Sequence, residues 1–239
     1  MTTKDWRQVI LKAGFHKPDS EMCLLEAVAW YSGEPWSDKP ACVSPTLAAF
    51  GRAWNDGMRS DEEREQLKQY IPMLIGTVDS SKESVRGFMA MDWLCRVYLV
   101  AWLRLVHLDA PAQALIDHPA VVDYQTMASV SPIVNAAWAA AWAAAARDAD
   151  TAAWDAAKAA TTAAGAAAAA KAATAAARAA AAAAKAAAKA AAAAARAAAM
   201  AAAAGAAAGA ALEPTVRELQ ESAHQLFQNM IATAAGRPS

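Results

Sequence analysis

A chain of 239 residues with 22 Lys/Arg against 23 Asp/Glu and a net charge of −1 is too evenly balanced to be a polybasic or polyacidic binder. Its 57% hydrophobic content is inflated by alanine, which buries little area per residue. Cys23, Cys42 and Cys95 form no C-x-x-C pair, which argues against a disulfide framework and for reduced thiols in the cytoplasm.

The first 131 residues are expected to form a globular all-α domain of short helices joined by Pro- and Ser-rich turns. The opening MTTKDWRQVILKAGF mixes acid and base into its apolar pattern, so it predicts a helix over 5–13, closed by Gly14, and not a signal-peptide core. Ser20 is placed to cap a helix from Glu21 to Trp30. The coil that follows, SGEPWSDKPACVSP, holds three prolines and excludes a long helix. Ser44-Pro45 then starts a helix that Gly57 ends. Ser60 and Glu63 make a capping box for a helix stopping before Pro72. The longest core helix spans Glu83 to His107, apolar over much of its circumference, and a short one follows over 111–117. No sustained alternation predicts strands.

Ser131-Pro132 is expected to launch an alanine-rich arm, residues 132–211, built as one long helix or as a helical hairpin near Gly165. A single helix of about 75 residues would reach roughly 110 Å. Trp138 and Trp142 share one face and are expected to anchor it. Further on, Lys171, Thr174, Arg178, Lys185, Lys189 and Arg196 fall within an arc of roughly 60°, a straight cationic edge. Residues 136–211 carry 7 Lys/Arg against 3 Asp/Glu, so the charge is thin. Recurring charges make the tract costly in lipid, which argues against a membrane span. The last segment, 212–239, predicts an amphipathic helix from Pro214 with Val216, Leu219, Ala223, Leu226, Phe227 and Met230 on one face. That face needs a partner surface, in its own chain or in another copy.

The coil from Gly33 to Pro45 is the densest polar and aromatic segment. The strings CLLEAVAWYSGEPWSDKPACVSPTLAAFGRAWNDG and GFMAMDWLCRVYLVAWLRL resemble a group of proteins from GC-rich bacteria and their phages. The resemblance covers roughly residues 20–120 and implies no activity, catalytic residue or substrate. Taken by themselves, Glu26, Glu34, Asp38 and Asp56 could act as paired carboxylates with His16, Lys39 or Arg52 as helpers; caps and turns explain the same residue types. Trp36, Asp38, Cys42 and Trp54 are the candidate pocket. Cys42 beside a helix start could be an activated thiol, with His16, His107 or His118 as base, or a buried structural cysteine. Trp30, Trp93 and Trp102 read as pocket lining or as core. No metal-ligand spacing, phosphate-binding glycine loop or other cofactor motif is present.

These features predict a non-catalytic binding or scaffold protein, using the arm as spacer or self-association element together with the C-terminal helix. One alternative is nucleic-acid binding, with Lys171, Arg178, Lys185, Lys189 and Arg196 on phosphates. Another is a small enzyme with a site around Trp36, Asp38 and Cys42.

Overall fold

Two serines set where helices begin. Ser44 Oγ accepts the Leu47 N–H ahead of Pro45, opening α2 (Pro45–Gly57), and Ser60 Oγ accepts the Glu63 N–H, opening α3 (Asp61–Arg64). The computed structural model describes residues 4–18, 21–147 and 206–233, and over these the chain is all-α apart from one short strand pairing. The expected helix of the arm beyond Arg147, its break near Gly165 and its cationic edge lie outside the described residues, as do Ser20 and the last six positions.

The amino-terminal segment departs from the predicted helix. The Asp5 carboxylate accepts the Arg7 N–H and closes a single 3-10 turn at Trp6–Gln8. Beyond it Val9 and Leu11 are buried while Ile10 is exposed, a period of two that suits a strand and not a helix. Thus β1 (Ile10–Leu11) pairs in parallel with β2 (Glu21–Met22). Next comes α1 (Leu24–Ser32), which starts later than expected because Glu26 reaches back to the Cys23 N–H at 2.7 Å. Gly33, at φ 82°, ends it in the left-handed conformation that glycine adopts without a Cβ clash.

After α3 a 3-10 turn at Glu65–Leu67 leads to α4 (Tyr70–Leu74). Pro72 was expected to stop the helix, yet it sits inside α4. It occupies the first turn, where the missing N–H would have had no intrahelical partner. The long core helix consists of α5 (Glu83–Trp93), a π turn at Leu94–Tyr98 and α6 (Leu99–Leu105). His107, at φ 56°, turns the chain into α7 (Asp109–Asp117).

The Ser131-Pro132 pair does not start a helix. Asp123 and Thr126 cap one another first: Asp123 Oδ1 accepts the Thr126 N–H at 2.7 Å and Thr126 Oγ1 accepts the Asp123 N–H at 3.1 Å. The resulting α8 (Tyr124–Arg147) runs straight through Pro132. An interior proline costs about 3 kcal/mol, offset here by burial of Val130, Val134, Ala137 and Ala141. Pro214 behaves likewise and lies inside α9 (Ala206–Ala232) instead of opening it.

The predicted apolar face of α9 finds its partner in its own chain. Val216, Leu219, Ala223, Leu226, Phe227 and Met230 are all buried in the main core. Phe227 stacks on Phe50 with ring centroids 5.4 Å apart and meets Tyr70 edge-on at 4.9 Å. Trp93 Nε1 donates to Ser222 Oγ at 2.9 Å and Arg86 Nε donates to the Met230 carbonyl at 3.1 Å. This ordering makes α9 antiparallel to α5. The same core takes in Val134, Ala137 and Ala141 of α8, so the helices on both sides of the alanine-rich segment belong to one packed body.

Candidate functional site

The coil between α1 and α2 spends its polar groups on holding itself in shape. Glu34 accepts the backbone N–H groups of Ala41 at 2.6 Å and Cys42 at 2.8 Å. The Cys42 thiol also bonds this carboxylate, and that bond keeps Glu34 below the usual carboxylate range. Burial pushes the Cys42 thiol up, and the neighbouring Glu34 pushes in the same direction, which is the opposite of what a thiolate nucleophile needs. The Asp38 carbonyl accepts from Arg52 Nη1 at 2.6 Å. Trp36 Nε1 donates to the His16 carbonyl at 2.9 Å, fastening the coil to the segment after β1.

Trp54 stands elsewhere, in the core, with Phe50, Tyr70, His224 and Phe227 as ring neighbours and its indole N–H donating to Gln220 at 2.7 Å. No hydrogen bond or ring contact joins any two of Trp36, Asp38, Cys42 and Trp54. The other aromatics named from sequence are also structural. Trp102 is wholly buried, Trp93 bonds Ser222, and Trp30 packs half-buried against the core. His118 is buried against the Pro119 carbonyl and Ser129.

One pair among the candidate carboxylates and histidines does come together. Glu26 is completely buried and accepts three N–H groups: His16 N at 2.8 Å, His16 Nδ1 at 2.9 Å and Cys23 N at 2.7 Å. A carboxylate donates nothing when ionised, so this geometry places the His16 proton on Nδ1. Burial pushes the Cys23 thiol up to about 12, leaving it an inert packing group. The pair works as a brace tying residues 14–18 to the start of α1.

A concave feature that shares no residue with the coil lies among helices further along the chain. A cleft of about 400 Å³ opens between α6 with the preceding π turn, Ile116 of α7, and α9. Val97, Val100, Ala101, Leu105 and Leu219 give it apolar surface; Arg96, Arg104, Thr215 and Glu218 give it polar edges. The π turn forms part of its wall. The Leu99 N–H bonds the Leu94 carbonyl five residues back, so Arg96 and Val97 are carried on a widened turn facing α9. Arg96 is already engaged, with Nε on Asp92 at 2.8 Å and Nη1 on the His118 carbonyl at 2.9 Å. Arg104 and Glu218 are exposed and make no hydrogen bond or ion pair among the described residues. These side chains come from elements more than a hundred residues apart. Their one sequence signal is Arg96 and Arg104, eight apart on a single face of an otherwise apolar helix.

Lys171, Arg178, Lys185, Lys189 and Arg196 lie outside the described residues. Among the described residues no three His, Cys, Asp or Glu side chains gather closely enough to hold a metal ion. Nor is any described helix long and apolar enough to cross a membrane. Comparison with protein-family models, with curated proteins and with solved structures finds no match.

Proposed function

We propose that this chain is a non-catalytic binding or scaffold protein in which a helical head holds both ends of an alanine-rich segment used for spacing or self-association. One observation carries the reading: α8, which leads into the segment, and α9, which follows it, bury their apolar faces in the same core. The segment between them is thereby anchored at two points instead of trailing from one. The chemistry-bearing residues of the coil add support, because Glu26, Glu34 and Asp38 are committed to internal bonds and Cys42 is held as a thiol. A catalytic group needs a free atom directed at a substrate.

Removing α9 would unmake the core, so the informative variant replaces residues 148–205 with a flexible Gly/Ser linker of about 20 residues, enough to span tens of ångströms. Light scattering on the full chain is expected to give a mass above that of one chain. The shortened variant is expected to run as a single chain while melting at a similar temperature. A single-chain mass for the full protein, or an unchanged oligomer after replacement, would contradict self-association through the segment.

A further inference from the structure

We propose that the cleft between the π turn, α6 and α9 binds a zwitterion with an apolar body, of the class of short apolar peptides with free ends. Its volume, about 400 Å³, falls in the range of small-ligand sites, and its walls combine apolar surface with a few convergent polar groups. The charge distribution selects the ligand class. Arg96 is neutralised by Asp92, which leaves Arg104 on α6 and Glu218 on α9 as the two lining charges without a partner among the described residues, one on each wall. They do not pair with each other, although they line the same space.

A simple anion would be drawn to Arg104 and repelled by Glu218, and a simple cation would meet the reverse. A molecule carrying both charges satisfies both walls. Its carboxylate takes the guanidinium in a two-pronged hydrogen bond, its ammonium takes Glu218, and its apolar side chains cover Val97, Val100, Leu105 and Leu219. The π turn is an independent pointer. Such turns interrupt the regular ladder of a helix, occur mostly as single turns and are frequent at functional sites. Here no glycine or proline in Leu94–Tyr98 accounts for it, and its outward residues Arg96 and Val97 line the cleft.

Isothermal titration of the full chain with leucyl-leucine tests this. Two blocked forms serve as controls, the C-terminal amide, which lacks the carboxylate, and the N-acetyl peptide, which lacks the ammonium. Saturable one-to-one binding is expected, weakened about tenfold or more by either block. Arg104→Gln is expected to weaken the free peptide to the level of the amide while leaving the amide itself unaffected; Glu218→Gln should do the same for the acetylated form. Both side chains are exposed, so neither change threatens the fold. Arg104→Lys should recover part of the affinity. Absence of binding, equal binding of blocked and free peptides, or indifference to both substitutions would overturn the proposal.

Discussion

Asn55 shows how one buried side chain joins three parts of the head. It is fully buried on α2; its Oδ1 accepts the Leu24 N–H at 3.2 Å, and its Nδ2 donates to the Lys12 carbonyl at 2.7 Å and to Asp56 at 3.2 Å. The bonds to Leu24 and Lys12 satisfy backbone groups at the start of α1 and the end of β1, where neither helix nor strand supplies a partner. Asn55→Ala would leave both without one, and urea unfolding should show a loss of about 2–4 kcal/mol. Gly51, one turn earlier on α2, is constrained by space. A Cβ there would stand 3.1 Å from Leu25 Cδ2 and 3.4 Å from Phe227, so the absence of a side chain lets α1 and α9 close on α2 together. Two buried donors, Arg86 Nη2 and Trp102 Nε1, have no partner among the described residues and count against this packing.

At the scale of elements, α9 is docked through a cluster whose protonation matters. His224 lies against Trp54 at 4.5 Å, with Nδ1 2.7 Å from the Tyr70 hydroxyl and Nε2 2.7 Å from Gln66 Oε1. Burial lowers the His224 pKa from its ordinary 6.5 and pushes the Tyr70 phenol up to about 12. Both shifts favour the neutral form in the folded state. Below pH 6.5 the unfolded chain takes up a proton on this histidine that the folded chain resists, so stability falls as the pH drops through that region. Denaturant midpoints measured from pH 7 to pH 5 should decline, and His224→Gln should flatten the decline; an identical slope in the variant would show that His224 does not set it. Much of this level was legible in the sequence. The Ser-Pro start of α2 and the Ser60 cap act locally, and the face of α9 is periodic, so residue spacing revealed them. The start of α8 was not legible, because the Asp123–Thr126 cap outcompetes a stronger-looking Ser-Pro signal that begins at Ser131, and burial offsets the proline. The candidate site divides in the same way. Glu26 and His16 were visible as residue types but not as a pair, and the cleft was hidden because α6, α7 and α9 meet only through tertiary packing.

At the scale of the molecule, the alanine-rich segment follows one helix of the core and precedes another, α8 being described as far as Arg147 and α9 from Ala206. Arg59 reinforces the return by pairing with Glu213 on α9 while held by Glu63. Exposed ion pairs contribute modestly, so the apolar face of α9 supplies most of the hold. The aromatic group of Phe50, Trp54, Tyr70 and Phe227 is complete only when α9 is in place. Anchorage of the segment at both ends is open to one direct measurement. A specific protease site is placed at Gly165, the chain is cleaved there under native conditions, and the products are separated by size. The two fragments are predicted to elute together and to part only in denaturant. Immediate separation, with the amino-terminal fragment keeping its native melting transition alone, would show that α9 is not part of the head.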